Sequence, residues 1–209
     1  MNLPFTPAFF AGMALSLSLI MAIGPQNAHV MRMGLRREHL WLTVAVCVVT
    51  DVVLIAVGVG GLAQLGGLSA QVLGAMTGAG ALVLALYGLQ AMRRFLQPAA
   101  DTGVGAGQAV AMSRRQAIGA ALAMSWLNPH AWLDTAVLLG TASLAYARPE
   151  NAVFGLGAAT GSLLWFTALG AAMWRLGRRL DSPAVWRALD GLVALMMWGT
   201  AAWLVAGLF

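Results

Sequence analysis

The chain has 209 residues, of which 60% are hydrophobic and 9% are charged, and its formal net charge is +5. An average soluble domain contains about 25% charged residues, so this composition excludes a soluble fold that covers its own apolar surface. The positive charge does not indicate a nucleic-acid partner, because the arginines that carry it lie in short segments between apolar runs. The composition therefore predicts one membrane domain over residues 1–209, embedded in a lipid bilayer.

Six stretches are long and apolar enough to cross a bilayer, which requires about 20 residues of helix. They are residues 7–31, 40–63, 69–92, 116–141, 151–174 and 185–207. A linker rich in Gly and Ala, residues 101–113, separates the first three stretches from the last three. We therefore expect an all-α membrane protein with six transmembrane helices.

The arginines predict how these helices are oriented. They follow the first span, flank the central linker and surround the loop after the fifth span, and only Arg148 falls on the opposite side. Loops on the cytoplasmic side carry an excess of basic residues, so both termini are expected to be periplasmic. Each half has an odd number of spans, so the halves must run in opposite directions, which is the inverted-repeat arrangement of many transporters.

A proline interrupts one apolar run in each half, and the two prolines lie about half of the 209 residues apart. The interrupted motifs are Gly24-Pro25-Gln26-Asn27 and Asn128-Pro129-His130. Gly and Asn suit the position before a helix, and Pro suits its first turn. Helices 1 and 4 are therefore predicted to be broken inside the membrane, with half-helices from Pro25 to Gly34 and from Pro129 to about Thr141. Each half-helix N-terminus carries about half a positive charge and favours an anionic group.

Two aspartates, Asp51 and Asp134, lie inside apolar runs. An aspartate at the centre of a bilayer costs roughly 2.5–3.5 kcal/mol on insertion scales, so its presence indicates a functional role. Two helix N-termini and two carboxylates match an α-amino acid with a cationic side chain, which has one carboxylate and two positive groups. The predicted substrate-binding or ion-coupling residues are Gly24, Pro25, Gln26, Asn27, Asp51, Asn128, Pro129, His130 and Asp134.

Three segments resemble the lysine/arginine exporter family of bacterial inner membranes: residues 24–28, 47–54 and 126–135. Residues 162–166 and 182–186 fit the same family, so the resemblance covers nearly the whole chain. It implies a multi-pass protein of the inner membrane that exports basic L-amino acids, arginine or lysine, from the cytoplasm. It also implies that the proton motive force or the membrane potential drives export, and that Asp51 and Asp134 serve it.

Several alternatives remain open at this point. Export of neutral amino acids or other small cations differs from export of basic amino acids only through the resemblance and the two charges. A passive channel is a further alternative, which net movement against a gradient in vesicles would distinguish from a transporter. An intramembrane aspartyl protease also uses two aspartates, but its flanking residues differ from Thr50 and Leu133. Cys47 is the single cysteine, which excludes an intrachain disulfide, and no Cys/His spacing suggests a metal site. Neither an enzyme nor a cofactor is predicted. His29 and His130 fit either a proton relay or packing, and the sequence leaves proton coupling and a homo-oligomer open.

Overall fold

The structure is a computed structural model that describes residues 7–21, 24–62, 70–96, 112–128, 131–177 and 182–206. Within these ranges the chain is helical and contains no β-strand, which confirms the predicted all-α class. The helices are α1 (Pro7–Ile20), α2 (Pro25–Arg36), α3 (Leu40–Val57), α4 (Ala70–Leu96), α5 (Arg114–Trp126), α6 (Leu139–Ser143), α7 (Glu150–Leu176) and α8 (Pro183–Ala206). A π-helical segment, Gly58–Leu62, extends α3, and another, Trp132–Leu138, leads into α6.

The first predicted break lies between α1 and α2, whose axes differ by 77°. Gly24 is extended, with φ −114° and ψ −177°, and Pro25 opens α2. The amide nitrogen of the Asn27 side chain donates a hydrogen bond of 2.8 Å to the carbonyl of Ile20, the last residue of α1. That bond satisfies one of the carbonyls that a helix leaves without a partner at its C-terminus, so Asn27 stabilises the interruption.

The second break follows α5. The carbonyl of Asn128 accepts hydrogen bonds from the backbone N–H groups of Ala131 and Trp132, at 3.1 and 3.4 Å, and so begins the next helical segment. That segment runs from Trp132 through α6 to Ser143, and its first part is π-helical rather than α-helical. Pro129 and His130, which the sequence places at this break, lie outside the described residues.

Close glycine contacts hold the broken segments against unbroken helices. In α7, the Cα of Gly157 lies so close to the backbone carbonyl of Phe9 in α1 that a Cβ would not fit between them. Likewise Gly58, at the end of α3, lies against the carbonyl of Ala136 in the second π-helical segment. Small residues permit such close backbone approach between membrane helices.

Helix packing follows the same plan in the two halves of the chain. The first broken pair, α1 and α2, packs against α7, while α5, the second π-helical segment and α6 pack against α3 and its extension. The remaining helices, α4 and α8, pack against each other, and α3 packs against α7. Each of these pairings therefore has a counterpart in the other half.

Two described helical segments are long and apolar enough to cross a membrane, Leu40–Gly61 and Glu150–Leu176, and the bent pair of α1 and α2 makes a third if it is one span. The fold also leaves large apolar side chains uncovered, as expected of helices that face lipid. Val49, Leu82 and Leu195 are 61%, 62% and 68% exposed. These features fit a helical membrane protein.

Candidate functional site

Asp51 is buried in α3, and each of its carboxylate oxygens accepts one hydrogen bond. The hydroxyl of Ser162 in α7 donates to Oδ2 at 2.7 Å, and the side-chain amide of Gln26 in α2 donates to Oδ1 at 3.3 Å. Both donors are neutral, and none of the salt bridges among the described residues involves Asp51. A buried carboxylate normally has a charged partner, so this arrangement leaves a place for a cation.

A cavity of about 160 Å³ lies beside Asp51, where the two breaks meet. Seven of the nine residues that the sequence singles out line it: Gly24, Pro25, Gln26, Asn27, Asp51, Asn128 and Asp134. The other two, Pro129 and His130, lie outside the described residues. Among the described lining residues two are acidic and none is basic. The cavity therefore combines negative side chains with two interrupted helices.

Asp134 reaches this cavity from the second π-helical segment. Its carbonyl accepts the N–H of Leu139, five residues later, which is the hydrogen-bond spacing of a π-helix. The wider turn sets where the carboxylate projects, and the sequence, read as a regular α-helix, gives no indication of it. Asp134 is partly exposed, whereas Asp51 is buried. The two carboxylates thus face one cavity from different environments.

Asn27 is fixed from two sides. Its side-chain nitrogen bonds the carbonyl of Ile20 at 2.8 Å, and its side-chain oxygen accepts a hydrogen bond of 3.0 Å from Nε1 of Trp165 in α7. Trp165 itself packs against a cluster of buried apolar residues that includes Phe166 and Cys47. The Asn27 side chain therefore holds the break between α1 and α2 against α7.

Sequence reasoning missed two residues of this region. Ser162 donates a hydrogen bond to Asp51 from a position 111 residues further along the chain. The sequence feature that could have identified it is a hydroxyl within an apolar run rich in glycine and alanine. Asp190 in α8 is a third aspartate inside a predicted span, and it accepts hydrogen bonds from Arg32 at 3.0 Å and Arg94 at 2.9 Å. From the sequence, the arginines are expected to lie in loops, but Arg32 lies within α2 and Arg94 lies in the last turn of α4.

Comparison with known proteins defines the class. The family model described as LysE type translocator matches residues 17–207. An arginine exporter protein of Pectobacterium carotovorum is 35% identical over 193 residues, which cover 92% of this chain and 94% of the relative. A protein of Mycobacterium bovis, named as a candidate amino-acid transporter, is 39% identical over 188 residues, covering 88% and 90% of the two chains. An arginine exporter protein of Serratia proteamaculans is 34% identical over 203 residues, covering 96% and 98%.

No solved structure matches the chain. The fold and the family match together define a helical membrane protein of the transporter class. The chain belongs to the LysE type translocator family. The predicted resemblance to lysine/arginine exporters is thereby confirmed, and family membership indicates amino-acid transport rather than catalysis.

Proposed function

We propose that this protein is a secondary active exporter of basic L-amino acids, arginine or lysine, which it moves out of the cytoplasm across the inner membrane. The observation that carries the proposal is the cavity on which both helix breaks and both aspartates converge. The names of the arginine exporters that resemble the chain over nearly its whole length support the same substrate class.

The cavity offers complementary groups for each end of such a substrate. The N-terminal turn of α2, which follows Gly24, presents backbone N–H groups and a partial positive charge to the α-carboxylate. Asp51 and Asp134 hold the α-ammonium group and the cationic side chain. The amide of Gln26 replaces water around the bound molecule.

A carboxylate without a basic partner also explains how export can be coupled to a gradient. Asp51 can hold either the cationic substrate or a proton, and exchange of one for the other is the step that antiport requires. If the membrane potential drives export instead, the same carboxylates neutralise the substrate without exchanging protons.

The packing plan supports six spans arranged as two inverted three-helix repeats. Each broken span packs against the middle span of the other half, so that each of these pairings has a counterpart. In this arrangement the Asp51–Ser162 hydrogen bond joins the middle helices of the two halves, α3 and α7. Transporters of this kind bind substrate at the interface of their repeats, and residues of both halves of the chain line this cavity.

Uptake into inside-out membrane vesicles tests the proposal. Labelled arginine and lysine are supplied outside, with a proton gradient alone, with a membrane potential alone and with neither, beside vesicles that lack the protein. We expect accumulation against the amino-acid gradient that stops when the driving gradient is dissipated. Equilibration without accumulation would identify a channel, and stronger accumulation of a neutral amino acid would identify the alternative substrate class.

A further inference from the structure

A second and larger cavity, of about 590 Å³, lies between α2, α4, α5 and α8. Its chemistry is opposite to that of the Asp51 cavity, because three arginines line it: Arg32, Arg36 and Arg94. None of the residues assigned to the substrate site above contributes to it. The two cavities are separate features of the molecule.

The charges of the second cavity do not balance in the described structure. A single carboxylate oxygen, Oδ1 of Asp190, accepts hydrogen bonds from both Arg32 and Arg94. Arg36 forms a salt bridge of 3.3 Å with Glu38, so its charge already has a partner. Two guanidinium groups thus share one carboxylate, which leaves one positive charge over. Charges at partly buried positions are normally paired; the side chains of Arg32 and Asp190 are 16% and 12% exposed, and that of Arg94 is 32% exposed.

The arginines also have donors to spare. The bonds to Asp190 use Nη1 of Arg32 and Nε of Arg94, whereas a guanidinium has five N–H donors in a planar fork that fits a carboxylate. On the same cavity lies His29, whose Nε2 is buried and has no hydrogen-bond partner among the described residues. This nitrogen can pair with a donor, such as a water molecule or the ammonium group of a ligand.

We propose that this cavity is a carboxylate-binding site, in which Arg32 and Arg94 bind the carboxylate. The carboxylate has two sources. It is either the α-carboxylate of an amino acid before that molecule reaches the Asp51 cavity, a source that rests on the proposed function, or a small free carboxylate. In both cases the ligand binds through the guanidinium donors that the bonds to Asp190 leave free.

Side-chain NMR of purified full-length protein, labelled with ¹⁵N-arginine, tests the site through the Nε–H signals. The protein is titrated with acetate, with arginine and with agmatine, the analogue of arginine that lacks the carboxylate. We expect acetate and arginine to shift the Arg32 and Arg94 signals and agmatine to leave them unchanged. Arg37 is the internal control, because it is exposed and bonds the carbonyl of Trp174 outside the cavity.

The variants separate this site from the Asp51 cavity. Arg94→Gln should weaken acetate binding about tenfold or more, the effect of losing one hydrogen bond to a charged group, while Arg37→Gln should not. The shifts caused by arginine should persist in Asp51→Asn. Tighter binding of arginine than of acetate identifies an amino acid as the ligand, and equal or tighter binding of acetate identifies a free carboxylate.

Three results would overturn the carboxylate site: no shift with acetate or arginine, shifts of equal size with agmatine, or loss of the arginine response in Asp51→Asn. Failure of arginine uptake in vesicles, together with an intact acetate response at Arg32 and Arg94, would instead contradict the proposed function alone.

Discussion

The carboxylate of Asp51 combines burial with two neutral donors and no basic neighbour within the described residues. Such a group gains more from a cationic ligand than an exposed one, because water screens the interaction less in a buried site. Asp190 shows the contrasting solution, since two arginines already satisfy it. At the scale of single residues, the described structure therefore contains one buried carboxylate with only neutral donors, Asp51, and one that two arginines pair, Asp190.

Charge selectivity at Asp51 can be measured with arginine and citrulline, which differ in the charge of the side chain. Asp51→Asn should weaken arginine binding by roughly 1.5–3 kcal/mol, or about 10- to 150-fold in affinity, because it removes a buried partner of the guanidinium. Citrulline binding should change far less. Binding is measured on purified protein, apart from flux, and equal losses for the two ligands would show that Asp51 is structural.

The hydroxyl of Ser162 should stabilise the fold through Asp51. Ser162→Ala leaves Oδ2 of a buried carboxylate without its donor, so the free energy of unfolding in detergent should fall by about 1–3 kcal/mol. The matched control is Ser16→Ala, since Ser16 is equally buried but its hydroxyl has no hydrogen-bond partner among the described residues. Similar losses in the two variants would contradict the importance of the Ser162–Asp51 bond.

At the scale of elements, the two breaks could be predicted from sequence because their causes are local. Gly24 and Pro25 interrupt a helix through their own backbone chemistry, and the carbonyl of Asn128 begins the next helical segment. The π-helical geometry around Asp134 could not be predicted, since it develops where Ala136 and Gly58 bring two backbones together. Local chemistry therefore places the breaks, whereas tertiary contact shapes the segments that follow.

The close approach of α1 and α7 should depend on Gly157. A methyl group there would collide with the carbonyl of Phe9, so Gly157→Ala should lower the free energy of unfolding by about 1–3 kcal/mol. Gly199→Ala is the control, because nothing lies within 4 Å of its added Cβ. It should be neutral or slightly stabilising, as Ala favours a helix by up to about 1 kcal/mol over Gly. Equal stability of the two variants would argue against the tight contact.

At the scale of the whole molecule, the hydrogen bonds between residues far apart in the chain could not be predicted from the sequence. The pattern of apolar runs predicts where the helical segments lie, and the two aspartates could be singled out because a charge in an apolar run is costly. Ser162 lies 111 residues from Asp51, and Asp190 lies 158 residues from Arg32. No periodicity connects positions so far apart, and only the packing of α3 on α7 and of α2 and α4 on α8 brings them together.

The orientation of the molecule can be tested with single cysteines in a Cys47→Ala background, which removes the only cysteine. A cysteine at Gly105, in the central linker, should react only with reagents that reach the cytoplasm, because the arginine bias places that loop inside. A cysteine at the exposed Ala147, beside the one arginine on the opposite side, should react from the periplasm. Periplasmic labelling at Gly105 would overturn both the orientation and the inverted repeat.

The central claim is that the cavity shared by the two breaks is where the substrate binds, and Asp134→Asn tests it most directly. The measurement is arginine flux in inside-out vesicles that contain equal amounts of inserted protein, with the unfolding midpoint of each variant recorded. Glu150→Gln is the control, because it removes an exposed carboxylate in the first turn of α7, away from the cavity. We expect Asp134→Asn to fold normally and to lose arginine transport, while Glu150→Gln transports as the wild type does. Flux at the wild-type rate in folded Asp134→Asn protein would contradict the claim.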